Sequence, residues 1–350
     1  MSTLIMKFGG TSVGSAEAIT RASSIIESYQ NDWERLVVVV SAMRGVTDAL
    51  IECADLAVQG KEAEYQSVIA QLSTNHHAVM DEIVAHEGER EQLSVQLDAY
   101  TTELDAYCRS IHVLGEVTAR GMDTITSLGE RMNAPLVAAA LRDKGLAARA
   151  VDAAELIVTD NSFQHANPIS GATRKKVNDA LLPLLDENVI PVVTGFVAPT
   201  EQGIVTTLGR GGSDYTASIL GDSLDATEVW TWTDVDGVMT ADPRIVTNAQ
   251  VIPELSFSEV SELAYFGAKV LHPKTLRPII ERDIPLWVKN TFNPESVGTK
   301  VIRSSVNRKG IVTAITTIRD LSLVTVEGRG MLGIPGIAAR TFAAVARQGA

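Results

Sequence analysis

The chain is short of cysteine, of positive charge and of long apolar runs, and each shortage removes a class of protein. Cys53 and Cys108 are its only cysteines; they form no CxxC pair and have no zinc-ligand spacing. A disulfide framework and a structural zinc site are therefore excluded, and buried free thiols in a reducing compartment are expected. Lys and Arg number 30 against 43 Asp and Glu, a formal charge of −13. That imbalance disfavours nucleic acid or an anionic membrane as the main partner, while leaving room for a local basic pocket. No apolar run approaches the ~20 residues that span a bilayer. The N-terminus also lacks the charged-then-apolar pattern of a secretion signal, so a soluble, cytoplasmic protein is expected.

What is present is enough for a sizeable core. Of 350 residues, 45% are hydrophobic and 21% charged, which argues for two or more domains and against extended disorder. Met6–Gly14 reads M-K-F-G-G-T-S-V-G, between a short apolar strand at Leu4–Phe8 and a helix-like run from Ser15. Strand, glycine turn and helix point backbone N–H groups at an anion, with the helix dipole adding to the attraction. The same residues also suit an ordinary tight turn with a surface lysine. The stretch is not a Walker A loop, because Lys7 precedes the glycines instead of following them.

Strands are predicted at Leu36–Val40, Ala147–Val151, Val189–Thr194, Glu228–Thr233 and Ile284–Lys289. Alternating with helices, they imply a mostly parallel sheet covered on both faces. Asp48 to Leu114 is helical in period. His76 and His77 lie in it beside acidic residues, where a solvated helix face competes with a metal site. Ser41 to Thr47 follows a strand, where open α/β sheets bind ligands, or forms a plain helix start capped by Thr47. Glu130 in S-L-G-E-R either complements a helix dipole or receives a substrate ammonium. Thr207–Ala217 reads T-L-G-R-G-G-S-D-Y-T-A, in which Arg210 can fork onto a carboxylate or phosphate and Asp214 caps a helix or serves a site. Asp234, Asp236 and Asp242 lack EF-hand spacing. Gly328–Gly333 matches G-x-G-x-x-G, but the acidic residue a dinucleotide site wants about 20 positions on has no place before Ala350.

Five segments in order resemble aspartate kinase: K-F-G-G-T-S-V at 7–13, S-L-G-E-R at 127–131, T-L-G-R-G-G-S-D-Y-T-A at 207–217, W-T-D-V-D-G-V-M-T-A-D-P-R at 232–244 and F-G-A-K-V-L-H-P at 266–273. The resemblance covers nearly the whole chain. It implies the amino acid kinase fold, an α/β/α three-layer sandwich over residues 1–305, with an amino-acid-binding lobe to about 200 and an ATP-binding lobe after it. It implies transfer of the γ-phosphoryl of ATP, with Mg²⁺ carried mainly by the ATP phosphates, to the side-chain carboxylate of L-aspartate. By position, Lys7, Gly9, Gly10, Gly211 and Gly212 would bind phosphate, with Lys7, Asp214 and Lys269 catalytic. Ser41, Thr47, Glu130, Arg210 and Ser213 would bind aspartate. Thr233, Asp234, Met239, Arg244 and Lys269 would line the ATP site, Met239 standing where relatives often carry tyrosine.

Other readings stay within reach of the residues. A related kinase could act on glutamate, acetylglutamate or carbamate, but S-L-G-E-R with T-L-G-R-G-G-S-D favours aspartate. A catalytically silent amino-acid sensor would not need Lys7, Asp214 and Lys269 intact. From Ile311 the chain resembles the start of an ACT-type regulatory region, placed at 306–350, with strands at Ile311–Thr317 and Leu321–Glu327 and a helix at Gly336–Arg347. So short a unit leaves Ile334, Ile337, Phe342 and Val345 partly uncovered. Insensitivity to a lysine or threonine effector and assembly into a homo-oligomer are the expectations that follow.

Overall fold

The computed structural model describes residues 1–267, 271–304, 312–317, 325 and 336–347. In order, the first half holds β1 Thr3–Phe8, α1 Ala16–Tyr29, β2 Arg35–Val40, α2 Val46–Val58, α3 Glu62–Ile83, α4 Glu87–Leu114, α5 Ala119–Thr126, α6 Leu128–Asp143, β3 Ala148–Val151 and α7 Ser170–Asp186. The second half adds β4 Ile190–Thr194, β5 Val197–Pro199, β6 Val205–Thr207, α8 Gly212–Ser223, β7 Glu228–Thr233, β8 Glu254–Ser256, α9 Phe257–Tyr265, α10 Pro273–Glu281, β9 Leu286–Asn290, β10 Thr299–Ile302 and α11 Ile337–Ala346. Among the described residues no helix is long and apolar enough to cross a membrane.

The main sheet has eight strands in the order β3-β4-β2-β1-β7-β9-β10-β8. Its pairs are parallel except β9 with β10. Every residue of β1 is buried, which is why the sequence shows a continuous apolar run there and not an alternating one. Alternate residues feed two cores. Leu4, Met6, Phe8, Val38, Val40, Trp230 and Trp232 pack with α1, α2 and α6 on one face. Ile5, Val37, Val39, Val229 and Val288 pack with α7, α8 and α10 on the other. The result is the expected α/β/α sandwich, with α3 and α4 packed outside α1, α2 and α6.

Two sequence expectations change here. His76 is 1% exposed, its Nδ1 bonded at 2.7 Å to the Leu72 carbonyl, so it belongs to a core and not to a solvated face. Among the described residues no group of three or more His, Cys, Asp or Glu side chains could hold a metal ion. Thr47 does not cap α2; Gly45 does, at φ 81°, and Thr47 sits inside the first turn. Cys53 and Cys108 are buried free thiols.

Residues Met1–Thr316 form one compact unit and Thr317–Ala350 a second. In the second unit α11 is described, with Phe342 73% and Val345 46% exposed. The strand expected at Ile311–Thr317 does not form: residues 312–317 are irregular, with Ile315 donating its N–H to the Thr240 carbonyl at 2.9 Å. Ile334, the G-x-G-x-x-G stretch and all but residue 325 of the strand expected at Leu321–Glu327 lie outside the described residues.

Candidate active site

The central strands β1, β2 and β7 run in parallel, and all three end at the same edge. At that edge β1 gives way to the glycine turn. Gly9 donates its N–H to the Trp232 carbonyl at 3.1 Å, and Ser12 donates to Gly9 at 2.8 Å. Thr291 Oγ1 reaches Ser12 Oγ at 2.7 Å, tying the turn to the end of β9. A Cβ on Gly10 would stand 2.9 Å from the Ala42 carbonyl, and one on Gly14 2.7 Å from that of Gly10. Glycine is therefore required by close approach of backbones. Ser15 then caps α1, accepting the Ala18 N–H at 3.2 Å.

Lys7 leaves β1 on the α8 side and meets Asp214 in the first turn of α8, Nζ to Oδ1 2.8 Å. The two side chains are 9% and 17% exposed. Thr231 Oγ1 donates to the same Asp214 oxygen at 3.3 Å. Asp214 therefore fixes the lysine at the mouth of the turn. The preceding loop needs its glycines: Gly209 and Gly211 have φ 78° and 70°, in the left-handed region. Between them Arg210 is exposed. A Cβ on Gly195, after β4, would come 2.8 Å from Ser213 Cα, so β4 and α8 touch there and set the position of Ser213.

Beside Lys7 lies a cleft of about 530 Å³. All of the residues expected to bind aspartate line it: Ser41, Thr47, Glu130, Arg210 and Ser213. So do Lys7, Gly10, Gly211, Gly212 and Asp214. Glu130 is 4% exposed, in the first turn of α6, and its Oε2 has no partner among the described residues. Burial pushes its carboxyl up to about 8, against the pull of the Ala42 and Glu130 N–H groups and of Lys7. Asn133 holds the Ser41 carbonyl at 2.7 Å.

Other expected residues stand elsewhere. Gly9, Thr233, Asp234, Met239 and Arg244 do not line this cleft. The N–H of Gly9 is used by Trp232 and that of Gly212 by the Gly209 carbonyl at 2.9 Å, so neither is free for phosphate. Thr233 ends β7 and bonds Asp234 at 3.2 Å. Met239 bridges to Val251. Arg244 is exposed and forks onto Asp242, at 3.0 and 2.7 Å. Lys269 lies outside the described residues.

Sequence reasoning missed Asp123 and Arg44, both on the cleft wall. Asp123 accepts from the Gln164 N–H at 2.8 Å and Thr207 Oγ1 at 2.7 Å, and burial raises its pKa. It braces the loop behind Arg210. No local signal marks it, because Thr207 is 84 residues away in the chain.

Cations and carboxylates surround one cleft at the edge where parallel strands end, an arrangement complementary to a small molecule bearing both charges. The chain belongs to the amino acid kinase family, whose pattern matches residues 2–290. It is similar to aspartokinase 3 of the Arabidopsis thaliana chloroplast, 38% identical over 357 residues that take in 99% of this chain and 61% of that protein. Among solved structures it is similar to Escherichia coli aspartokinase III bound to aspartate and ADP, at TM-score 0.78 and 34% identity, covering 87% of this chain and 66% of that one. The same enzyme bound to lysine and aspartate gives TM-score 0.78 and 31% identity over 99% of this chain and 74% of that one. The chain spans between 38% and 62% of the lengths of the plant aspartokinases and bifunctional aspartokinase/homoserine dehydrogenases it matches.

Proposed function

We propose that the chain is an aspartate kinase, transferring the γ-phosphoryl of ATP to the side-chain carboxylate of L-aspartate. The observation that carries this is the Lys7–Asp214 pair at the glycine turn, facing a cleft that also presents Arg210 and Glu130, whose Oε2 has no partner among the described residues. Arg210 takes the substrate's α-carboxylate and Glu130 its α-ammonium, which leaves the side-chain carboxylate free toward Lys7. That carboxylate is already a nucleophile at neutral pH. It forms a bond to the γ-phosphorus as the bond to the ADP oxygen breaks. The difficulty is bringing anions together, so positioning and positive charge do the catalysis.

Lys7 holds the transferring phosphoryl with Gly10, and Asp214 is a positioning residue for Lys7. Thr233, Asp234, Met239, Arg244 and Lys269 are proposed for the nucleotide, Thr233 ending β7 and Asp234, Met239 and Arg244 following it. Arg244 must then leave Asp242. Mg²⁺ is proposed as an ion carried mainly by the ATP phosphates that keeps most of its waters. When bound it neutralises phosphate charge. Residues 306–350 are proposed, on the sequence resemblance, as the start of an ACT-type unit through which copies associate.

The direct test is ATP-dependent hydroxamate formation over aspartate, glutamate, N-acetylglutamate and carbamate. Aspartate is expected to be the substrate. Turnover of another member alone would overturn the substrate, and turnover of none would overturn the activity.

Glu130 adds a pH signature. Its carboxyl is raised from 4.5 to about 8. As pH climbs through that window the unfolded chain releases the proton while the folded chain keeps it, so the free protein loses stability until about pH 8. An ammonium ligand needs the carboxylate form. The KM for aspartate is therefore expected to fall with rising pH, approaching about tenfold per unit below 8, and to level above it. Glu130→Gln should flatten the profile. A wild-type KM that is constant across this range would remove Glu130 from the ammonium role.

A further inference from the structure

A second cleft, of about 460 Å³, lies on the α1 face of the sheet and shares no lining residue with the first. Its walls come from α1, from β9 and from residues 294–297. Parallel pairing of β7 with β9 sets Trp230 beside Trp287 and Trp232 beside Lys289. Side chains two apart on a strand share a face, so a lysine is carried into the tryptophan core. Lys289 is 8% exposed. Its Nζ lies 4.8, 5.3 and 5.6 Å from the ring centres of Trp230, Trp287 and Trp232.

The rings stabilise the positive charge but accept none of the three N–H bonds an ammonium makes. Burial lowers the Lys289 pKa, with Glu228 pulling the other way. Glu228 itself is held by Trp230 Nε1 at 2.7 Å and stands 3.6 Å from Lys300. Among the described residues, nothing accepts a hydrogen bond or forms an ion pair with Lys289. Two more donors on the same cleft also lack an acceptor. Arg21 Nε and Trp287 Nε1 are both buried with no acceptor among the described residues. Arg21 places Nη2 on Glu17 at 2.9 Å and its guanidinium over Phe292 at 5.5 Å, which leaves Nε unused.

Buried donors are nearly always paired. Three unmatched donors on one cavity, two of them cationic, lack a common acceptor. We propose that this cleft binds a small organic anion whose carboxylate or phosphate group accepts from Lys289, Arg21 and Trp287. Ile25, Tyr29 and Val297 offer contact for an apolar body. Glu295, exposed at the rim, disfavours ligands of high negative charge.

The chain's own fluorescence reads the site. All four tryptophans are in this cluster: Trp33 packs edge-on against Trp230 at 6.0 Å, beside Trp232 and Trp287. The probes are acetate, benzoate, inorganic phosphate and phenyl phosphate, titrated at constant ionic strength against chloride. A saturable change in emission is expected from at least one probe, at least tenfold tighter than any chloride effect. Benzoate against phenyl phosphate tells which anion group is preferred. Lys289→Met and Arg21→Gln should each weaken binding at least tenfold, and saturating aspartate or ATP should not displace the probe. No saturable change with any probe, an equal response in both variants, or displacement by aspartate or ATP overturns the proposal. Should Lys289→Met fail to fold, Arg21→Gln, on a helix surface, decides.

Discussion

Lys7→Ala is expected to lower kcat about 100- to 1000-fold while the KM for aspartate moves only a few fold. Removing one preorganised donor from a developing charge costs roughly 3–4 kcal/mol of barrier. Lys7 fits that description: it is 9% exposed, at the mouth of the glycine turn, and held by Asp214 at 2.8 Å. Water cannot replace it freely there. The truncation also leaves Asp214 without its cation, but that carboxylate is 17% exposed and keeps the Thr231 hydroxyl at 3.3 Å. Loss of the fold is therefore not the expected cause, and circular dichroism of the variant checks this. Steady-state kinetics settles the rest, since a variant retaining more than half the wild-type kcat would sink the assignment of Lys7.

Arg210→Ala and Glu130→Ala should instead act on aspartate binding. Truncating one side of a charge pair in a desolvated site costs about 2–5 kcal/mol, or roughly 30-fold or more in affinity. The larger effect is expected at Glu130, which is 4% exposed, while Arg210 is on the open side of the cleft. In both variants the KM for ATP should change far less than that for aspartate. Because both groups hold one ligand, the double variant should lose less than the sum of the single losses. The opposite pattern, with ATP affinity lost and aspartate affinity kept, would mean that the roles are exchanged.

Central strands were readable because burial on both faces demands β-branched runs such as Leu36–Val40. The short strands beyond β9 were not. β8 and β10 have three and four residues and carry no run that stands out; β10 forms against the backbones of β9 and β8, and β8 against that of β10. The set expected to bind aspartate came from the family resemblance, and its five residues line one cleft although only Ser41 and Thr47 follow a parallel strand, while Arg210 and Ser213 follow β6 of the antiparallel pair and Glu130 starts α6. Asp123 was hidden because its meaning comes from Thr207 and Gln164, which only the fold brings near. Lys289 was hidden for the same reason: within L-W-V-K-N it reads as an ordinary strand lysine, and only the register with β7 puts it among tryptophans. Helix starts also resisted reading, since Gly45 caps α2 through its backbone conformation and not through a side chain.

The position of β1 has a consequence for how the chain acquires its site. β1 lies between β2 and β7, and Leu4 pairs with Glu228 while Gly9 binds the carbonyl of Trp232. β1 therefore waits for the synthesis of β7, at Glu228–Thr233, before one of its edges is covered. The glycine turn waits longer, because Ser12 is fixed by Thr291. Contacts this distant in sequence make folding slow and leave intermediates with open strand edges. The glycine turn is thus among the last features to be assembled, and a nascent chain halted before residue 291 holds its residues without their final shape.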